Sequence, residues 1–339
     1  MMDVKFGASF VPCQPDELAR LCVTAEDAGY DRLGLVDSQS IYRELWVSCT
    51  VAASHTTRIK VGPRVTNPIT RHLSVTASAA ATLEELAPGR IFLGLGSGDS
   101  ALGNIGLRAA SLSEMEEAIH AARALMTGSA AAYHGRSCAM PWSRRAVPIY
   151  MSAHGPKSLR LAGRVADGVV IGTGLNREAV AYSLEMIQQG AEEGGRRLAD
   201  LDLWWLSTCN LAASRVAAIA EVRMLLAANA HVLPNQVRNP ALVPPRYSEA
   251  IATLAREYVI SEHLMPGAAR TNVQLVQRLG LEDYLAERFG IVGTPDDCLR
   301  QIERALNAGA NQLWMSIYFP HRQSFMERWG REIIARFQG

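Results

Sequence analysis

A (β/α)8 barrel, the TIM-barrel form of an α/β fold, is what this 339-residue sequence predicts, and three observations carry the prediction. Short β-type runs alternate with helical stretches along the chain, eight such runs are found, and no internal repeat accompanies them. Parallel strands need helical crossovers, so eight β-α units leave this alternation in a sequence. The length suits one barrel with an insertion. A doubly wound open sheet is the competing architecture.

Residues 4–10 form the first β-type run, followed by a helix with Leu18, Leu21, Cys22 and Ala25 on one face and Gly29 as its C-cap. The second strand is placed at 32–36 with a helix at 45–54, and the third at 58–65 with an Ala-rich helix at 72–86. Residues 91–95 make the fourth strand, and Leu112, Met115, Ile119, Ala122 and Leu125 stripe its helix. A longer connection at 128–147, with Tyr133, His134 and Trp142, leads to the fifth strand at 148–152. Leu159, Ala162 and Val165 mark a helix before the sixth strand, 168–171, and Val180, Leu184 and Ile187 the helix after it. The seventh strand is placed at 201–209, with a helix at 216–230. Residues 231–290 then interrupt the alternation with Pro234, Pro240, Pro244, Pro245 and Pro266 among amphipathic pieces. This segment reads as an insertion between strands seven and eight, covering the mouth of a single barrel domain that spans 1–339. Thr294, Pro295 and Asp297 supply an N-cap, a first-turn proline and a capping-box acid for a helix carrying Leu299, Ile302 and Leu306, before the eighth strand at 312–318.

The composition narrows the function classes. Thirty-four basic against 33 acidic residues leave a net charge of +1, so neither a nucleic acid nor an acidic membrane surface is implied as partner. With 48% hydrophobic and 20% charged residues the chain has enough apolar material for a large core. No targeting signal and no 18-residue uncharged run are present, which reads as a cytoplasmic protein. Cys13, Cys22, Cys49, Cys138, Cys209 and Cys298 are scattered without metal-ligand spacing and read as free thiols; no metal is expected.

Barrel enzymes build their sites at the C-terminal ends of the strands. Those positions hold Asp37 and Ser38, then Thr66 and Asn67, Ser97, Gly98 and Asp99, Ser152, Ala153, His154 and Gly155, and Gly172, Thr173 and Gly174. Small and polar residues there let a planar or phosphorylated ligand approach the backbone. Gly172, Thr173 and Gly174 either offer N–H groups and a hydroxyl to a phosphate or form a plain turn. The run from Gly94 to Asp99 lacks the third glycine of a dinucleotide fingerprint and contains no P-loop lysine. His154 is an acid, a base or an incidental loop residue. Asp37 and Asp99 put two carboxylates at the rim for proton handling, unless they cap helices. His72 opens a helix whose dipole disfavours an imidazolium, which leaves it a neutral hydrogen-bonding role or none. Asp37, His72 and Asp99 are the candidate catalytic residues. HExxH and GxSxG are absent, so zinc and serine hydrolases fall away, and a rim with few catalytic side chains suits an enzyme whose cofactor carries the hard chemistry.

Thr66, Asn67, Pro68, Thr70, Arg71 and His72, followed by Gly89, Arg90 and the run Gly94 to Asp99, resemble the linked TNPxTRH and GRxxLGLGxGDS stretches of the bacterial-luciferase-like flavin and deazaflavin oxidoreductases. The closest branch is the methylenetetrahydromethanopterin-reductase-like one. The resemblance covers the chain from Phe6 to about Gly174 and from Gly293 to Tyr318. It implies a (β/α)8 barrel, a homodimer, and a cofactor ring across the mouth against a third-strand bulge with a non-prolyl cis peptide around Val65, Thr66 and Asn67. The cofactor set it implies adds Val65 and Gly96 to the rim positions, with the phosphate arm toward Ser152, Ala153, His154 and Gly155 and toward Gly172, Thr173 and Gly174. Two activities follow from it. An FMN monooxygenase oxidises a small organic substrate with oxygen, its reduced FMN supplied by a separate flavin reductase; the breadth of the superfamily favours this one. The alternative is hydride transfer to or from a small organic substrate with coenzyme F420. A flavin-binding barrel without turnover is the reading from another class. Trp142, Trp204, Trp205, Trp314 and Tyr318 line a substrate pocket or fill core, and Arg238, Arg246, Arg270 and Arg278 meet an anionic tail or face solvent.

Overall fold

The computed structural model describes residues 4–230, 233–236, 239, 242–259, 262 and 270–338. In chain order its elements are β1 Lys5–Phe10, α1 Pro15–Asp27, β2 Arg32–Leu35, α2 Leu45–His55, β3 Lys60–Pro63, α3 Leu73–Leu86, β4 Leu93–Leu95, α4 Ser100–Gly103 and α5 Leu112–Met126. There follow β5 Ala130–Tyr133, β6 Arg136–Ala139, β7 Ile149–Ala153, α6 Pro156–Val165, β8 Gly168–Ile171, α7 Arg177–Glu193, β9 Asp202–Leu211 and α8 Arg215–Ala230. The chain ends with α9 Ser248–Glu257, α10 Arg270–Arg278, α11 Glu282–Phe289, β10 Gly290–Gly293, α12 Pro295–Ala308, β11 Gln312–Ser316 and α13 Arg322–Glu332.

Local chemistry explains the helix ends. Pro15 opens α1 with Asp16 and Glu17 in its first turn, where acids meet the positive end of the helix dipole, and Leu18, Leu21, Cys22 and Ala25 are its buried face. Ala28 caps it and Gly29 turns the chain away at φ +87°. Thr294 and Asp297 close the capping box that starts α12.

Eight parallel strands run in the order β3-β2-β1-β11-β9-β8-β7-β4, and the ends of this path meet. Between β3 and β4 the ladder reduces to two bridges, Val61 to Ile91 and Thr66 to Leu95. Five residue steps on one side of that seam face four on the other, so the third strand bulges by one residue at the barrel rim. Pro63 lies in the bulge and has no N–H to give. The Arg64–Val65 peptide is cis. The fold is therefore a closed (β/α)8 barrel with its helices outside.

At the N-terminal end of the barrel Arg32 and Asp202 pair at 2.9 Å. The guanidinium sits 4.1 Å from the Trp204 ring centroid and 5.0 Å from that of Tyr150, with Phe92 and Trp314 at 5.5 Å. Asp202 also accepts hydrogen bonds from the Tyr150 hydroxyl at 2.6 Å and the Trp204 indole at 3.0 Å. Trp204, Trp205 and Trp314 are thus core, as the second of the two alternatives for them had it, and Trp142 is exposed. Burial works to raise the Asp202 pKa, but Arg32 and the surrounding donors outweigh it and hold the carboxyl below its usual range. A depressed folded-state pKa stabilises above the unfolded value of about 4 and is lost as pH falls through the folded value. Acid titration of unfolding free energy should be level above about pH 5 and drop below about pH 4. Asp202→Asn should lower the plateau and flatten that drop; a variant with an unchanged acid limb would contradict it.

The segment expected as an insertion folds into α9, α10 and α11, which bury Ile251, Leu254, Val276, Leu285 and Phe289 with Val222 and Leu226 of α8. That cluster includes Val11 and Tyr318, residues just beyond the C-terminal ends of β1 and β11. Each such side chain contributes about 1.5–3 kcal/mol by leaving water. Arg288, 1% exposed, donates from Nε to the Thr173 carbonyl at 3.0 Å and from Nη2 to Gln236 Oε1 at 2.6 Å. Gln236 in turn donates to the His154 carbonyl at 2.8 Å, so the segment is bolted to two rim loops.

Three elements depart from the expectation. Gly290–Gly293 is an additional short strand, parallel to the far half of β9, where the insertion was expected to continue to 290. The 128–147 connection contains the antiparallel hairpin β5-β6, turned by His134 at φ +49° and Gly135 at φ +71°. Its alanines carry none of the β-branched signal that marks a strand. Ser100–Gly103 is a further helical turn. Arg246 is exposed over the Tyr247 ring and Arg278 is exposed in a pair with Glu257. Arg238 and the Arg270 side chain lie outside the described residues. Among the described residues no helix is long and apolar enough to cross a membrane.

Candidate active site

A cavity of about 440 Å³ opens at the C-terminal ends of the strands. That is within the usual size of a small-molecule site. The barrel brings Asp37, Ser38, Val65, Thr66, Asn67, Gly96, Ser97, Gly98, Asp99, Ser152, His154 and Gly172 to its wall. It does not bring His72, Ala153, Gly155, Thr173 or Gly174 there. His72 accepts the Ser74 N–H as the N-cap of α3, and its ring meets Tyr133 edge-on at 5.4 Å, on an exposed part of the surface. Ala153 is buried in β7. Gly155 caps α6, and its N–H, like that of His154, is taken by Ser158 Oγ at 3.1 and 3.3 Å. The Thr173 hydroxyl is buried against Ser183 Oγ at 2.6 Å, and a Cβ at Gly174 would lie 2.7 Å from Arg288 Cγ. Of the groups expected to hold a phosphate, Ser152, His154 and Gly172 reach the cleft, and the Gly172 N–H is spent on the Ala153 carbonyl at 3.1 Å.

Asp37, with a side chain 2% exposed, anchors one wall. Its Oδ2 accepts from Arg71 Nη1 at 2.6 Å and from the Thr66 hydroxyl at 2.6 Å. Arg71 extends to Glu44 at 2.8 Å, and although burial opposes its charge, these two carboxylates raise its pKa. Asp37 caps no helix. Asn67 Oδ1 accepts the N–H groups of Ile69 and Thr70, an Asx turn that holds the 66–70 loop. Asp99 stands at the N-cap position of α4 but makes no side-chain cap bond. The His154 ring packs on Gly172, where a Cβ would approach Cε1 to 2.1 Å, and its Nε2 is 3.4 Å from Ser152 Oγ.

Other wall residues come from positions that the strand-end count passed over. They include Val36, Tyr42, Arg64, Leu206, Thr208, Leu225, Asn229 and Ser316, with Tyr318. Burial, with Tyr318 adding to it, pushes the Tyr42 phenol above its usual range, so it is a neutral hydroxyl at physiological pH. Arg64 had a readable signal: a charge at the end of a barrel strand is out of place unless a partner or ligand meets it. Leu225 and Asn229 had none, because nothing local places a helix face over the mouth.

A closed parallel barrel with a small-molecule cleft at its strand ends has the form of a (β/α)8 enzyme. Residues 5–312 match the family described as luciferase-like monooxygenase, and the chain belongs to that family and is an oxidoreductase. It is 29% identical to the 5,10-methylenetetrahydromethanopterin reductase of Methanopyrus kandleri, with all of both chains covered. It is 28% identical to the F420-dependent glucose-6-phosphate dehydrogenase of Nakamurella multipartita, over 99% of this chain and 97% of that one. The solved coenzyme F420 dependent tetrahydromethanopterin reductase from Methanopyrus kandleri superposes with a TM-score of 0.80 at 26% identity, covering 99% of each chain.

Proposed function

We propose that the chain is a coenzyme F420-dependent reductase or dehydrogenase of a small organic substrate. One observation carries this reading: relatives whose names state F420 chemistry match the chain from end to end. The FMN and oxygen expectation rested on the breadth of the family, and these relatives outweigh it.

The cleft fits a flat ring. Val65 packs directly over Gly96, where a Cβ would come 2.7 Å from Val65 Cγ2, so this wall lies flat, and Gly98 takes φ +96° beside it. Val65, Thr66, Asn67, Gly96, Ser97 and Gly98 would hold the ring, with Ser152, His154 and Gly172 along one side. When bound, F420 supplies a two-electron hydride couple. The protein's own share is positioning and charge: the Arg71-Asp37-Thr66 chain fixes the loop that forms the wall, and α8, whose Leu225 and Asn229 line the cleft, screens the mouth from water. Asp99 and His154 are the groups at the wall able to hold or move a proton.

Titrating the protein with F420 and, separately, with FMN, then following anaerobic hydride transfer, tests the reading. F420 should bind and turnover should need no oxygen. Failure to bind F420, or oxygen-dependent consumption of reduced FMN, would overturn it.

A further inference from the structure

Arg64 is 8% exposed and lines the cleft, yet among the described residues no carboxylate pairs with it. Its Nη2 donates to Ser316 Oγ at 2.8 Å and to the Tyr318 hydroxyl at 2.7 Å, while Nε and Nη1 have no partner in the protein. The other buried arginines among the described residues differ: Arg32 also has Nε and Nη1 without a hydrogen-bond partner but is neutralised by Asp202 at 2.9 Å and enclosed by four aromatic rings, where Arg64 has Trp314 alone at 5.9 Å, and Arg288 has four acceptors. A guanidinium desolvated with two donors idle is costly unless something else neutralises it.

We propose that Arg64 receives a carboxylate, or a similarly delocalised oxyanion, carried by the small-molecule substrate. A guanidinium favours such groups because its charge and N–H donors match oxygens that share a negative charge. Its position separates the substrate from the coenzyme. Ser316 and Tyr318 end β11 or follow it, and β11 lies four strands from β4 in either direction around the barrel. The Arg64 side chain therefore starts beside Val65 on the ring's own wall, and its guanidinium is fastened to the wall opposite Gly96, Ser97 and Gly98, which the reading above gives to the ring. The hydroxyls of Ser316 and Tyr318 aim the guanidinium, and an oxyanion held there fixes the substrate's reacting carbon relative to the ring. The assignment rests on that reading for the placement of the coenzyme, and its test is separable.

Malonate, with neutral malonamide as control, is the probe, added at matched ionic strength to the coenzyme-free protein and followed by thermal shift and calorimetry. The wild-type protein should be stabilised saturably by malonate and not by malonamide. Arg64→Met should weaken malonate binding at least about tenfold, the loss of one charged hydrogen bond. It should leave F420 affinity within about twofold and melt no lower than the wild type without ligand, because a structural arginine would destabilise on removal and an uncompensated one would not. Equal stabilisation of the wild type by malonate and by chloride or malonamide overturns the proposal, whether or not the variant folds. An R64M protein that loses F420 but keeps malonate overturns it too, by giving the guanidinium to the coenzyme. Malonate binding that depends on Arg64 in a protein with no F420 affinity would sink the coenzyme reading and leave this one standing.

Discussion

Arg71→Met should lose about 3–5 kcal/mol of unfolding free energy, the usual cost of removing one partner of a buried ion pair. Asp37 is the reason, because its carboxylate is 2% exposed and would be left with the Thr66 hydroxyl alone. The loss should reach the cleft as well, since Thr66 and Asn67 form its wall and F420 affinity should fall with stability. A cycle with Asp37→Asn separates this from simple truncation. The double variant should be more stable than R71M alone, because an amide tolerates the site better than an unpaired carboxylate. Urea denaturation of the four proteins measures it. If R71M stays within about 0.5 kcal/mol of the wild type, as an ordinary surface change would, the buried-pair account fails.

Gly62→Ala should be as damaging for a steric reason. A Cβ there would lie 2.1 Å from the Phe92 carbonyl oxygen and 2.7 Å from the ring's Cδ2. The obstructing atom is backbone of the neighbouring strand, so no rotamer relieves it, and about 3 kcal/mol or more is expected, at the upper end for overpacking. Gly94 faces the same seam from the other side, where a Cβ would lie 2.2 Å from the Pro63 carbonyl oxygen. Because only the Val61 and Thr66 bridges close the barrel here, widening the seam should open the cleft floor and abolish coenzyme binding together with stability. Gly103→Ala is the control: nothing lies within 4 Å of the added carbon, and its melting should stay within about 1 kcal/mol of the wild type. A G62A protein that melts with that control would refute the tight-seam account.

Much of the site's backbone is legible in the chain itself, because the strand ends and the two linked motifs mark it. The identity of the side chains at work is less so. Asp37 reads as a rim acid but is a structural anchor for Arg71, and the partner lies 34 residues away. His72 reads as a catalytic candidate but stands at a helix start on the surface, where the same sequence position serves as a cap. Thr173 reads as a phosphate hydroxyl and is spent on Ser183. In each case the residue type is right for two roles, and the choice lies with neighbours that come from other units or from the next helix.

What the sequence determined by itself is the order of strands and helices, the caps at Pro15 and Thr294, and the rim positions, since periodicity, capping and turn chemistry act within a few residues. Only the tertiary structure decided that Arg64 meets Ser316 and Tyr318 across 252 and 254 residues, that Arg32 finds Asp202 at the other end of the barrel, and that α8 covers the mouth. Those pairings depend on the register of parallel strands and on barrel closure, which sum contributions from all eight units and leave no trace in any one of them.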